Sequence, residues 1–152
     1  MSGTSPAPTV IYEGAGMPSE RARNEWSVIV LHDGFLELRW LPSTARLDAE
    51  AFKATLSWFA AETESARPRA VLSDIVDLHY APSAEVMSWR AAEIVPRYAG
   101  AGIRRFAFLV PPHHPNANQQ AFEGLPPYPT RWFPDRADAI RWIAAAKTPT
   151  TS

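Results

Sequence analysis

Asp33-Gly34 stands between two apolar runs, Trp26-Ser27-Val28-Ile29-Val30-Leu31-His32 and Phe35-Leu36-Glu37-Leu38-Arg39-Trp40-Leu41. A dipeptide that tolerates positive φ between two strand-forming runs specifies a β-hairpin, and its length predicts a type I′ turn with positive φ at both residues. The ordered chain therefore opens with an antiparallel pair. In the second run Leu36, Leu38 and Trp40 alternate with Glu37 and Arg39, the pattern of a strand with one buried and one wetted face.

Beyond the hairpin the period changes. Phe52, Leu56, Phe59 and Thr63 recur at helical spacing behind Asp48, a good N-cap, and Arg67-Pro68 ends that helix. Ala70-Val71-Leu72-Ser73-Asp74-Ile75 reads as a short buried strand. Ser83 caps a second helix with Met87, Ala91, Ile94 and Tyr98 on its apolar side, and Arg90, Glu93 and Arg97 on a neighbouring charged stripe. Pro96 should kink or end it, and Gly100-Ala101-Gly102 closes it. Residues 103–110 form the most hydrophobic strand, with a continuous apolar second half that fits a central strand covered on both faces. A Pro-rich loop spans 111–129, with one helical turn expected near 118–122. Thr130–Phe133 is a last strand, and Asp135 caps a final helix carrying Ala139, Trp142, Ile143 and Ala146 on one side.

The order β-β-α-β-α-β-loop-β-α implies parallel crossovers after an antiparallel hairpin. The expected fold is α/β, a mixed β-sheet with an N-terminal hairpin and helices mainly on one face. One domain is expected over 25–146, between a flexible tail at 1–24, rich in Ser, Pro, Gly and Ala, and a second loose end at 147–152.

Composition narrows the function classes. With no cysteine there is no disulfide and no thiolate nucleophile. The formal net charge is −1 and no basic stripe exists, so a nucleic-acid partner is not expected. No apolar run reaches membrane-spanning length, and the N-terminus lacks the charged start and apolar core of a secretory leader. A cytoplasmic location is the expectation. No HExxH, P-loop, GxGxxG or Gly-x-Ser-x-Gly pattern occurs, so neither a cofactor nor a metal is assigned.

Three stretches, Val71-Leu72-Ser73-Asp74-Ile75, Arg104-Arg105-Phe106-Ala107-Phe108-Leu109-Val110 and the ending from Arg131 to Ile143 with its F-x-D-x-x-x-A-x-x-W-[LI] pattern, together resemble the STAS/SpoIIAA-like superfamily, in particular stand-alone bacterial SpoIIAA-like proteins. The resemblance implies a mixed sheet with helices mainly on one face and a regulatory role. Anti-sigma-factor antagonists of this kind are phosphorylated at a helix-start Ser. In place of their Asp-Ser-Ser/Thr-Gly run this chain reads Tyr80-Ala81-Pro82-Ser83-Ala84-Glu85, so Ser83 is the nearest match for a phosphorylation site. Lipid-binding domains in the wider superfamily make an apolar ligand conceivable.

In open α/β sheets the working crevice lies beyond the carboxyl ends of the parallel strands. Two loops should meet there, 76–89 and 111–128. They bring His79, His113 and His114 towards Asp74, Asp77 and Tyr80. Acid–base catalysis would use His79 or His113 as proton acceptor, Asp77 to orient it, and Tyr80 as donor to an oxyanion. The plainer reading leaves the histidines as exposed loop residues. Of the six Trp, Trp40, Trp58, Trp132 and Trp142 fit core stripes. Trp89 lies off its helix's apolar stripe, and with Asp74, His114, Phe122 and Tyr128 it would line a ligand site. Trp89 in a homodimer contact is the other use of that residue. The function expected is a small regulatory or ligand-binding domain, with a small apolar molecule or a regulatory protein as partner. The alternative is a cofactor-free acid–base enzyme on an apolar organic substrate in the same pocket.

Overall fold

The computed structural model describes residues 18–117 and 127–145. Its chain enters the sheet at β1 (Ser19–Arg23), turns at Asn24, and continues through β2 (Ser27–Leu31) and β3 (Phe35–Trp40), all antiparallel. Residues 19–23, expected to belong to the N-terminal tail, are thus a sheet edge. Ser-Glu-Arg-Ala-Arg carries no apolar alternation, so nothing in its pattern marks a strand. Backbone pairing, the following turn and an ion pair from Arg21 to Glu62 of the first long helix, 2.6 Å, hold it instead. The Asn24 side chain accepts from the Trp26 and Ser27 N–H groups at 2.8 and 2.9 Å and donates to Thr55 Oγ1 at 3.1 Å. The expected tail over 1–17 and the C-terminal tail at 147–152 lie outside the described residues.

The hairpin between β2 and β3 is present, closed by the His32 N–H donating to the Phe35 carbonyl at 2.9 Å. Its turn differs from type I′: Gly34 has φ +93° while Asp33 is not in the positive-φ region. The Gly34 carbonyl is directed at the Arg69 N–H, 3.2 Å away, so the turn is shaped by the chain beside it as well as by its own two residues.

From β3 onward the pairing is parallel. Helix α1 (Ala49–Ala66) leads to β4 (Ala70–Asp74) beside β3. A broken helix then leads to β5 (Arg105–Leu109), and β6 (Thr130–Phe133) completes a six-stranded sheet ordered β1-β2-β3-β4-β5-β6. The broken helix consists of α2 (Ala84–Trp89), a π-turn at Arg90–Ile94 and α3 (Val95–Gly100). Proline explains the break. Pro96 has no N–H for the carbonyl four residues back, and its ring crowds that carbonyl. The Val95 N–H instead reaches five residues back to the Arg90 carbonyl, so one wide turn absorbs the mismatch. The caps expected at Asp48, Ser83 and Asp135 each accept a backbone N–H from their helix's first turn.

Two helical layers sandwich the sheet. Phe52, Leu56 and Phe59 of α1, with Ile94 and Tyr98, pack on Ile29, Leu36, Leu38, Trp40, Val71 and Phe106. On the opposite face α4 (Arg136–Ala144) lays Ala139 and Ile143 over Phe35, Ala70, Leu72, Ala107, Leu109 and Phe133. β4 and β5 are therefore covered on both faces, as their apolar runs require. The face of β3 expected to be wet is so only at Arg39, whose side chain is 43% exposed. It lies on the α4 side, and Glu37 is 0% exposed. A charged residue in an alternating strand marks a wetted face only when no later element brings it a partner.

Candidate functional site

Between the sheet and the layer of α1, α2 and α3 lies a cavity of about 670 Å³. Strand alternation sends Leu38, Trp40, Phe106 and Phe108 into it from below, and α1 supplies Phe52, Leu56 and Phe59 from above. Leu78, Pro82 and Met87 line it from one side, and His114, Asn116 and Tyr128 from the other. The rings form a connected wall: Tyr98 lies 5.4 Å from Phe106, Phe106 lies 4.9 Å from Phe108, and Phe108 stacks on Trp132 at 5.5 Å.

One lining residue carries a permanent charge. Arg90 opens the π-turn and holds its guanidinium 5.6 Å from the Phe106 ring centroid and 5.8 Å from that of Phe108. Among the described residues it makes no ion pair and no hydrogen bond. Its neighbour on the expected charged stripe behaves otherwise: Arg97 grips Glu64 of α1 through two bonds of 2.8 and 2.9 Å. The π-turn accounts for the divergence. At 100° per residue Arg90 and Tyr98 would point about 80° apart around the helix axis, and the wider turn closes much of that angle.

Two phenols accompany the guanidinium. Tyr98 is 1% exposed and Tyr128 5%, and neither hydroxyl has a hydrogen-bond partner among the described residues. Burial pushes Tyr98 up to about 12 and raises Tyr128 as well, while the nearby Arg90 charge opposes both shifts. Both phenols therefore stay neutral donors at any ordinary pH.

A second polar cluster lies on the other face of the sheet. Glu37 receives His32 Nε2 at 2.7 Å, Arg39 Nε at 3.2 Å and Arg136 Nη2 at 2.7 Å. The same Arg136 nitrogen reaches Asp74 Oδ2 at 2.9 Å, and Asp74 Oδ1 accepts the Val76 N–H at 3.1 Å. Burial would raise the Glu37 carboxyl, but the bonds from His32 and Arg136 and the charges of Arg136 and Arg39 outweigh it and hold it at about 2. For Asp74 burial is the larger influence, and its carboxyl is raised despite the Val76 and Arg136 contacts. The cluster joins β3, β4 and α4, and every carboxylate in it is engaged.

The residues singled out in the sequence are distributed over these environments. His114 and Tyr128 line the cavity. His114 Nδ1 accepts the Asn116 N–H at 3.0 Å, which leaves Nε2–H as the neutral ring's donor. Asp74 belongs to the ion network. Asp77, His79 and His113 are exposed, and no hydrogen bond joins any two of them. Buried Thr44 explains the first pair: its hydroxyl accepts the His79 N–H at 2.9 Å and lies 3.1 Å from the Asp77 carbonyl. That pins the loop's backbone, sends Leu78 inward and turns its two neighbours out. Tyr80 packs on Phe52 at 5.0 Å. Trp89 is half-buried under the Lys53 ammonium, 5.5 Å from its ring centroid. The exposed Ser83 uses its hydroxyl as the α2 cap, 3.1 Å from the Val86 nitrogen. Phe122 and the expected turn at 118–122 lie outside the described residues. Arg90 and Tyr98, which complete the polar end of the cavity, were read in the sequence as stripe and core positions. Pro96 six residues beyond Arg90 is the one signal that the helical phase would shift.

Among the described residues no three His, Asp or Glu side chains are grouped to hold a metal ion, and no helix is long and apolar enough to cross a membrane. Comparison with protein-family models, with curated proteins and with solved structures found no match.

Proposed function

We propose that this protein is a small-molecule-binding domain whose cavity between the sheet and the α1/α2–α3 layer takes an apolar organic ligand. One observation carries the reading: about 670 Å³ of space walled by aromatic and aliphatic side chains of both layers. Exposed Met87 and Ala91 among its lining residues put its mouth at the surface, where a ligand can enter. Ligand cavities fall at about 300–1,000 Å³, mostly apolar with a few placed polar groups, and this one has that make-up. Its rim draws on both loops singled out in the sequence, through Leu78, Pro82 and Met87 on one side and His114, Asn116 and Tyr128 on the other. A regulatory role in the cytoplasm, in the manner of STAS/SpoIIAA-like proteins, belongs to the same proposal. It rests on the sequence patterns quoted above and on the cysteine-free chain.

Titration with a neutral environment-sensitive dye, N-phenyl-1-naphthylamine, tests the cavity directly. The expected result is a saturable fluorescence rise for the wild type. Ala91→Trp, at an exposed position on the cavity lining, should abolish the rise while the circular dichroism stays unchanged. A folded wild type that gives no saturable signal would sink the reading.

A further inference from the structure

The cavity's polar end narrows the ligand class, given the binding function just proposed. We propose that the ligand is a hydrophobic monocarboxylate, held with its body among the rings and its carboxylate against Arg90, Tyr98 and Tyr128. Three observations lead there. Among the described residues Arg90 is the only lining side chain with a permanent charge, and no carboxylate answers it. A half-buried guanidinium in apolar surroundings is poorly solvated, and its planar fork matches a carboxylate's two oxygens. Tyr98 and Tyr128 line the same cavity with buried hydroxyls that lack partners among the described residues, although buried phenols ordinarily have one.

All three groups surround the Phe106 ring: its centroid lies 5.6 Å from the Arg90 guanidinium, 5.4 Å from the Tyr98 ring and 6.0 Å from the Tyr128 ring. Neutral phenols can donate to an anion, and a fixed cation balances its charge. A cationic ligand would meet only donors and a like charge. A neutral ligand would leave the guanidinium unanswered in a site it has further desolvated. Among the described residues the other polar lining groups, Ser73, Thr130, His114, Asn116 and the indoles of Trp40 and Trp132, provide no second permanent charge. One acidic group on an apolar body is therefore the matching chemistry.

The experiment compares three probes with a common naphthalene body: 1-naphthylacetate, 2-(1-naphthyl)ethanol and 1-naphthylethylamine, titrated into wild type and Arg90→Met by calorimetry. The expected outcome is that wild type prefers the acid over the alcohol by about tenfold or more, as a charge-assisted hydrogen bond predicts, and binds the amine weakest. Arg90→Met should lose that preference while keeping the alcohol's affinity. Tyr98→Phe should reduce the preference without removing it, a second readout at a different residue. Equal affinity for acid and alcohol in wild type would overturn the carboxylate assignment and leave the apolar cavity standing. No binding of any probe to folded wild type would overturn both.

Discussion

Arg136, in the first turn of α4, clasps Glu37 in the middle of β3 across 99 positions of chain, with Nη1–Oε1 at 3.3 Å and Nη2–Oε2 at 2.7 Å. This fork fastens the last helix to the face of the sheet that the hairpin alone would leave open. The energetics of such a pair depend on what replaces it. Removing one partner strands a buried charge, whereas an apolar pair of similar volume avoids that penalty.

Glu37→Ala should cost about 1–3 kcal/mol of stability, read from urea unfolding, because Arg136 is 36% exposed and keeps Asp74 as a partner. Glu37→Leu combined with Asp74→Asn and Arg136→Met, which also removes the charge that Arg136 would otherwise leave behind on Asp74, should recover most of that loss. Equal damage from the triple and single variants would mean that shape, not charge burial, dominates at this position.

Acid should act through the same carboxyl. Glu37 sits at about 2 in the folded chain against an ordinary 4.5. The fold favours its ionised form, so its contribution is complete above the ordinary value and is lost as pH falls towards 2. The shift corresponds to roughly 3 kcal/mol. Asp74 works in the opposite direction: its raised carboxyl protonates more readily in the folded chain, which gives back some stability as pH falls through that raised value towards the ordinary 3.8. The expected urea midpoint is nearly flat from pH 7 to 5 and falls steeply below about 4. In Glu37→Gln the steep limb should flatten.

Pro96→Ala restores a backbone N–H where the helix lacks one. The π-turn is then free to anneal into regular α-helix, which would swing Arg90 away from Tyr98 by up to about 80°. Acid-probe affinity should fall several-fold while thermal stability holds or rises. Unchanged affinity would show that the wide turn is set by packing and not by the proline.

Tyr98→Phe removes a buried hydroxyl that has no partner among the described residues. Relieving such a group should stabilise the ligand-free protein by about 1 kcal/mol, measured by thermal or urea unfolding. A loss of stability would mean that the hydroxyl is engaged by water or by a residue outside those described.

The strand and helix order was legible in the sequence because period 2 and period 3.6 are written locally, and so are the caps at Asp48, Ser83 and Asp135. β1 was hidden because Ser19–Arg23 contributes backbone pairing and almost no apolar surface. Glu37 was misleading because its counter-charges arrive from the far end of the chain. Of the cavity, His114 and Tyr128 were visible as loop residues near the strand ends. Arg90 was not: a wheel drawn at 100° per residue groups it with Arg97, and only the π-turn separates their surroundings. Asp77 and His79 attracted notice as polar neighbours, but the buried hydroxyl of Thr44 claims the backbone between them.

The pleat of β3 and β4 has a consequence for how such a domain can diverge. Leu38 and Ser73 look into the cavity, while Glu37 and Asp74, each one residue away, look into the α4 anchor. Neighbours in the chain thus answer to different selective pressures. Successive substitutions at every second position could exchange one guest for another while the fastening of the final helix is inherited intact.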